Sequence, residues 1–213
     1  MLKQLLLCKL FYLWSMIYAS EGFASCFIVL TGGAATMSDH ETAEDRPFIS
    51  THRQCSFTIT NMSSQYTLSE PSHYTISGRC DEKLPLLVPP CSSGDAKFVK
   101  TANSARGAVG VFTYTLHNQY TKRTTGKMAV MFSVPFDYSL YFNWYGLGIF
   151  DKSTECNKEL FDLMYDNKIV STFSTGKASG PSLTYKKDQV TITASMSDQS
   201  KSVIKVLVKD NWN

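Results

Sequence analysis

The sequence lacks the residue patterns on which most enzyme classes depend. Its four histidines show no metal-ligand spacing, and it contains neither a nucleophile-elbow motif nor a glycine-rich loop that would cradle a phosphate. No pair of carboxylates is singled out by its surroundings for acid–base chemistry. These absences argue against an enzyme, and no motif predicts a metal ion or another cofactor.

Charge is scarce as well. Charged residues make up 18% of the 213 residues, which is low for a disordered chain, and the 43% that are hydrophobic suffice for a core. The formal net charge of +3 is too small and too scattered to predict a nucleic-acid partner. The length favours one ordinary domain with a terminal appendage.

Residues 1–36 form the appendage, an apolar segment in which Lys3 and Lys9 are the only basic residues. Such a segment is typical of a secretory signal or a signal anchor, which predicts a secreted protein. The alternative is a cytoplasmic protein whose translation starts at Met37. Residues 37–53 are polar, acidic and without period, and are predicted to be a disordered lead-in.

Residues 54–213 are predicted to be an all-β domain. Cys55, Phe57 and Ile59 alternate with polar residues, which is the period-two pattern of a half-buried strand. Many short strands separated by turn signals predict a β-sandwich or a barrel. The further β-prone runs are Tyr66–Leu68, His73–Ile76, Leu86–Val88, Ala96–Thr101, Ala108–Leu116, Met128–Val134, Tyr145–Phe150, Leu183–Tyr185, Val190–Ala194 and Val203–Val208.

One helix is predicted over residues 154–167, which contain neither glycine nor proline and begin with Thr154 as a possible cap. Two aromatic residues, Phe161 and Tyr165, fall one turn apart on the expected solvent face. These two rings either pack half-buried at the rim of the domain or contact a ligand. The stripe expected to pack on the sheet consists of Cys156, Leu160, Leu163 and Met164.

Four cysteines follow residue 36: Cys55, Cys80, Cys91 and Cys156. In a secreted protein an even number permits disulfides, and a bridge between Cys80 and Cys91 would close a short proline-rich loop. In a cytosolic protein all four would be thiols, and Cys55 and Cys156 have the apolar surroundings of core residues. The sequon Asn61-Met-Ser63 has a meaning only if the chain is secreted.

Aromatic residues are densest between Phe132 and Phe150, where there are eight of them. Pro135 removes a ladder donor and Asp137 favours a local turn, so the strand is predicted to end at Val134 and the rings to stand on a loop. Such rings are ordinarily buried in a core. Tyrosine and tryptophan also suit a membrane boundary, and ring faces attract a quaternary ammonium.

Several motifs resemble those of the actinoporins, the sea-anemone cytolysins that recognise sphingomyelin, and of their actinoporin-like relatives in vertebrates. The longest runs from Ser133 to Tyr145 with the letters SVPFDYSLYFNWY. The others are Arg106–Tyr114, Ser77-Gly78, Asp81, Leu84-Pro85, Val88-Pro89 and Phe161–Tyr165, so that the resemblance covers residues 54–210.

The resemblance implies an actinoporin-like β-sandwich with one packed helix, and a pore-forming cytolysin that binds choline phospholipid headgroups, of sphingomyelin or phosphatidylcholine. It also implies homo-oligomers on the target-cell membrane and a cation-permeable pore. Carried over by position, the phosphocholine-binding residues are Ser77, Val109, Ser133, Pro135, Tyr141 and Tyr165. The aromatic residues expected to contact the membrane are Tyr138, Phe142, Trp144, Tyr145 and Phe161.

The chain departs from the anemone pattern at four positions. Ile76 stands in place of an arginine, Leu140 in place of a tryptophan, and Phe161 and Asp166 in place of tyrosines. Loss of the arginine and the hydroxyls weakens phosphate recognition, whereas Asp166 would favour the ammonium. The alternative function is a lectin-like or lipid-binding module of the same fold without pore activity, because aromatic rings also stack on sugars and glycans would then be partners.

Overall fold

The computed structural model describes residues 53–166 and 171–211, which belong to one compact unit. Within them the chain forms twelve strands and one helix, so the predicted all-β class is confirmed. The predicted segment 1–36 and all of the predicted segment 37–53 except Arg53 lie outside the described residues. The elements are β1 (Gln54–Asn61), β2 (Tyr66–Ser77), β3 (Arg79–Glu82), β4 (Leu87–Val88), β5 (Ser92–Val99), β6 (Ala108–Asn118), β7 (Arg123–Val134), β8 (Trp144–Phe150), α1 (Lys158–Asp166), β9 (Phe173–Lys177), β10 (Leu183–Lys187), β11 (Val190–Met196) and β12 (Lys201–Asp210).

The strands form two sheets of six that pack face to face as a sandwich. Sheet I has the strand order β10-β11-β12-β1-β5-β3, and sheet II has the order β4-β2-β6-β7-β8-β9. Aromatic rings join the sheets, because Phe57 of sheet I meets Phe112 and Phe132 of sheet II edge-on with ring centroids 5.0 and 5.1 Å apart. The predicted sandwich is therefore present.

Sheet II is covered on both faces, which explains why β6, β7 and β8 are buried almost without interruption. Alternate side chains point to opposite faces. Phe112, Val130 and Phe132 enter the sandwich core. Val111, Ala129 and Met131 face the other way and pack with Leu160, Phe161 and Met164 of α1. The helix is thus held on the outer face of sheet II by apolar contacts.

Helix α1 begins later than predicted. Asn157 caps it by accepting a hydrogen bond at Oδ1 from the Leu160 backbone N–H at 3.1 Å, and asparagine is a better N-cap than the predicted Thr154. The predicted stripe was also wrong in part, since Leu163 is exposed and Phe161 is buried. Burying a phenylalanine removes more apolar surface from water than burying a leucine, so the helix turns Phe161 toward the sheet.

Two strands, β3 and β9, were missed by the sequence analysis. In contrast, β2 is one strand where two runs were predicted, because a bulge between Ser69 and Ser72 lets its pairing with β6 continue. Cys80 lies in β3 as a free thiol, so the predicted bridge to Cys91 is not formed. Cys55 is buried in the core as predicted.

No helix among residues 53–166 and 171–211 is both long enough and apolar enough to span a bilayer. The same residues contain no group of three or more histidine, cysteine, aspartate or glutamate side chains placed to hold a metal ion.

The sequon at Asn61 is buried. Asn61 has 0% of its surface exposed, and its Nδ2 donates to the carbonyls of Tyr66 and Val88 at 2.7 and 2.9 Å. Its Oδ1 accepts from the backbone N–H and the hydroxyl of Ser63 at 3.1 and 2.8 Å. The amide that would carry a glycan therefore fastens the β1–β2 turn and β4 together.

We expect Asn61 to remain unmodified when the protein is expressed in a glycosylating host, as judged by mass spectrometry of the folded protein. Asn61→Ala should lower the free energy of unfolding by about 2–4 kcal/mol, because it leaves buried carbonyls without donors. The control is Asn103→Gly, because Asn103 lies on an exposed loop with a φ of 55°, a conformation that glycine adopts without strain, so this change should cost little. A glycan on Asn61 in the folded protein would contradict the placement.

Candidate functional site

Four predicted site residues lie in one row across sheet II. Ser77 of β2 pairs with Val109 of β6, which pairs with Ser133 of β7. Ser133 pairs with Trp144 of β8, and Trp144 pairs with Lys177 of β9. The strand register thus brings together residues that are up to 100 positions apart in the sequence.

Two glycines allow the chain to approach this row closely. Gly78, directly after Ser77, has a φ of 90°, a conformation that favours glycine. Gly107 accepts a hydrogen bond from the Ser77 hydroxyl at 2.9 Å, and a Cβ at Gly107 would collide with the backbone of Val134 and Pro135. The buried Pro135 therefore lies beside the row, next to the turn that carries Ser77.

The helix supplies the other wall of the site. The rings of Phe161 and Tyr165 stack with centroids 5.4 Å apart and planes 17° apart. Tyr165 is half-buried, and its pKa is raised by desolvation, then by the nearby charges of Tyr141 and Asp166. Tyr141 of the aromatic loop therefore lies close to Tyr165 of α1.

Two hydrogen-bond donors in the row have no partner. The indole N–H of Trp144 is buried and unsatisfied within the described part of the chain. Ser133 beside it is 5% exposed; its hydroxyl makes no hydrogen bond to another described residue, but the hydroxyl oxygen still reaches solvent. A buried donor without an acceptor is rare and destabilising, so the Trp144 N–H, with the Ser133 hydroxyl on the neighbouring strand, is placed to receive an acceptor such as a phosphate oxygen.

The loop formed by residues 135–143 follows β7, which ends at Val134 as predicted. Asp137 accepts hydrogen bonds at Oδ1 from the hydroxyl and the backbone N–H of Ser139 at 2.6 and 2.8 Å, and these bonds lower the pKa of its carboxyl group. Tyr141 closes the next turn by donating its N–H to the Asp137 carbonyl at 3.1 Å. The loop therefore has defined internal structure.

The tip of the loop exposes apolar side chains to solvent. Leu140, Tyr141 and Phe142 are all more than half exposed, and Phe136 and Tyr138 are exposed to a smaller degree. A contiguous exposed apolar surface of this kind marks a binding surface more often than a free one.

The prediction of membrane contact was wrong for two of the five aromatic residues, because both are buried. Tyr145 is 1% exposed and its hydroxyl lies 3.3 Å from the carbonyls of Pro181 and Ala194, because it follows Trp144 in β8 and must point into the sandwich. Phe161 is buried under α1. Trp144 is half-buried on the helix side, and the exposed loop carries the remaining two, Tyr138 and Phe142.

Basic residues that sequence reasoning missed hold the loop. Arg53 donates from Nε to the carbonyls of Pro135 and Phe136 at 2.9 and 3.1 Å, and from Nη2 to the Phe136 carbonyl at 2.6 Å. Its guanidinium carbon also lies 4.8 Å from the ring centroid of Tyr138. Lys177 places Nζ 3.9 Å from the ring centroid of Phe142. A local sequence pattern does not predict a contact between residues 82 positions apart, such as Arg53 and Pro135.

Residues 41–204 match a family model described as sea anemone cytotoxic protein. DELTA-thalatoxin-Avl1b from Actineria villosa is 43% identical over 63 residues, which are 30% of this chain and 25% of that protein. Deep-sea actinoporin Cjtox I from Cribrinopsis japonica is 34% identical over 92 residues, which are 43% of this chain and 39% of that protein.

The matched region spans between 25% and 55% of the length of such curated relatives. Among solved structures, the lipid binding protein Nakanori superposes with a TM-score of 0.58 over 73% of this chain and 70% of that one. The identity is only 9%, so this likeness supports the fold alone. The vertebrate branch of the resemblance stays a prediction. The family match over residues 41–204 and the relatives named actinoporins identify the chain as a member of the sea anemone cytotoxic protein, or actinoporin, family.

Proposed function

We propose that the protein binds the choline headgroup of a membrane phospholipid between the row of sheet II, the aromatic loop and α1. The observation that carries the proposal is the buried, unsatisfied N–H of Trp144, which lies beside the Ser133 hydroxyl and on the same face of sheet II as Tyr165, near Tyr141. A phosphocholine group has acceptor oxygens at one end and a quaternary ammonium at the other.

The phosphate would lie against the row. Its oxygens accept hydrogen bonds from Ser133 and Trp144, which removes the cost of leaving the Trp144 donor buried and unpaired. The Ser77 hydroxyl donates to the Gly107 carbonyl, and its oxygen still accepts a hydrogen bond or borders the ligand. Ile76 replaces the family's arginine, so neutral donors have the larger part in phosphate recognition here.

The ammonium would lie against aromatic rings. Tyr141 and Tyr165 offer ring faces at the mouth of the site, where a cation–π contact contributes about 0.5–2 kcal/mol. Asp166 is exposed and close enough to raise the pKa of Tyr165, so its charge also attracts the ammonium. This arrangement supports sphingomyelin and phosphatidylcholine equally, because they share the headgroup.

The exposed loop would place the site at the membrane. Leu140 and Phe142 flank Tyr141, so apolar side chains enter the interface while the tyrosine reaches the headgroup. On the membrane we propose that the protein acts as its family name suggests, as a secreted cytolysin that oligomerises into a cation-permeable pore.

Tyr141→Ala should weaken binding to phosphatidylcholine and sphingomyelin vesicles by up to about thirtyfold while the melting temperature stays nearly constant. The control is Tyr120→Ala. Tyr120 is 60% exposed, compared with 54% for Tyr141, but it lies in the β6–β7 turn at the other end of sheet II. Vesicle flotation measures the binding. Equal binding by both variants, or binding to a glycan array in place of vesicles, would contradict the proposal.

Ser133→Ala tests the phosphate contact separately. Because the Ser133 hydroxyl makes no hydrogen bond to another described residue, removing it should leave the free energy of unfolding nearly unchanged, yet reduce affinity for soluble phosphocholine by roughly fivefold to tenfold. Isothermal titration calorimetry measures the affinity, and Ser195→Ala, in β11 of sheet I, is the control. Unchanged phosphocholine affinity in the Ser133 variant would remove this residue from the site.

Pore formation is tested with the protein that starts at Met37. A pore needs an amphipathic helix of about 20 residues, but residues 37–54 have few apolar side chains and Pro47 in the middle. Residues 2–30 are long enough, but they are apolar all round. We expect the Met37 form to bind choline-lipid vesicles and to release trapped dye weakly, and the full-length chain to differ. Rapid release by the Met37 form at protein levels that only just saturate vesicle binding would refute this expectation.

A further inference from the structure

Lys177 is the last residue of the row across sheet II, and its side chain is exposed beside the aromatic loop. It pairs with Trp144, so the two side chains lie on one face of the sheet with Cβ atoms about 5 Å apart. Its Nζ lies 3.9 Å from the ring centroid of Phe142. The backbone N–H of Ala178 donates to the Asn143 carbonyl at 2.9 Å, which fastens β9 to the end of the loop. Lys177 is therefore held beside both neighbours of Asn143.

The ammonium of Lys177 has no negative partner within the described part of the chain. It takes part in no ion pair and no hydrogen bond with another described residue, and it contacts the Phe142 ring instead. Because the side chain is exposed, water solvates the charge in the free protein. A solvated lysine is ordinary on a protein surface, so its position relative to the membrane gives it significance.

Membrane binding changes the surroundings of this charge. Phe142 is 59% exposed at the tip of the loop, which enters the bilayer interface in the proposed function. The ammonium beside that ring enters with it and loses water there. A cation that loses water without gaining an anion is costly, and a ring face offsets part of that cost. The anion present at this depth is the phosphate of a lipid headgroup.

The neighbour of Lys177 in the row also requires an acceptor. The Trp144 N–H is buried and unsatisfied, and it belongs to the residue with which Lys177 pairs. At the opposite end of the row, Ile76 beside Ser77 stands where the resemblance places an arginine. The chain therefore lacks a positive charge at the β2 end of the row and has one at the β9 end.

We propose that Lys177 binds the headgroup phosphate together with the indole N–H of Trp144, and so supplies the positive charge that is missing at Ile76. A charge-assisted hydrogen bond is about twice as strong as a neutral one. The phosphate then lies toward β9, and the ammonium of the ligand lies toward Tyr165 and Asp166 of α1. The site therefore selects phosphocholine over choline alone. This inference rests on the proposed function and deepens it.

The test compares soluble phosphocholine with choline, which lacks the phosphate, by NMR titration at low salt. Lys177→Met keeps an apolar contact with Phe142 and removes the charge. It should weaken phosphocholine binding about fivefold to tenfold and leave choline binding unchanged. Lys177→Arg retains the charge and should stay within about twofold of the wild-type affinity. Both variants should melt like the wild-type protein, because the side chain is exposed.

Lys209→Met is the matched control, since it removes the same charge from another exposed lysine. The end of the loop lies near the start of β12, where Asn143 donates to the Gln199 carbonyl, whereas Lys209 lies near the far end of that strand. The distance along β12 from Lys201 to Lys209 is about 26 Å, well beyond the screening length of about 8–10 Å. This variant should bind phosphocholine like the wild type. Equal losses in the two methionine variants would indicate a general electrostatic effect and would overturn the proposal.

Phosphatidylcholine vesicles test the same contact on a membrane. They carry no net charge, so they exert no general attraction on a surface lysine. In flotation, Lys177→Met should lose binding by about the same factor as for soluble phosphocholine. A loss on vesicles without a loss for soluble phosphocholine would mean that Lys177 acts through the loop, and would overturn the phosphate contact. Equal losses for phosphocholine and choline would overturn it as well.

The two proposals fail in distinguishable ways. If Tyr141→Ala weakens vesicle binding while Lys177→Met binds phosphocholine as tightly as the wild type, the choline site stands and Lys177 is no part of it. If the wild-type protein binds neither phosphocholine nor phosphatidylcholine vesicles, the proposed function fails and the role of Lys177 fails with it.

Discussion

Burial of sheet II on both faces is the constraint on which the rest of the structure depends. Its central strands send alternate side chains into the sandwich core and under α1, so apolar packing on both sides fixes their register. A slip of one residue in β7 would exchange Phe132 with Ser133 and place a hydroxyl in the core. The row from Ser77 to Lys177 is therefore aligned by contacts made elsewhere in the sheet.

The aromatic loop combines an exposed tip with an anchored root. At the root, Arg53 binds two consecutive carbonyls, and the buried Asn143 donates to the Gln199 carbonyl at 2.9 Å. These bonds hold the backbone in place, so that Tyr141 and Phe142 stay exposed without folding back into the core. An ordered loop loses little conformational entropy when it binds, which favours binding by exposed rings.

Local sequence patterns predicted the features that depend on neighbouring residues. The alternation around Phe57 identified β1, and Pro135 ended β7 at Val134 because a proline cannot donate to the ladder. The rotation of α1 about its own axis was predicted less well, because periodicity alone does not decide whether Leu163 or Phe161 faces the sheet. The shape and composition of the sheet below decide which of the two is buried.

The sequence by itself determined the all-β class, the motifs of the family and the position of the aromatic loop, because each is encoded in short runs of residues. Only the tertiary structure decided that Tyr145 points inward and Trp144 outward, that Tyr141 lies near Tyr165, and which basic residues hold the loop. These outcomes depend on strand pairing and on contacts between residues as far apart as Arg53 and Phe136. No periodicity within a short segment carries such information, since it arises only when the two sheets and the helix pack together.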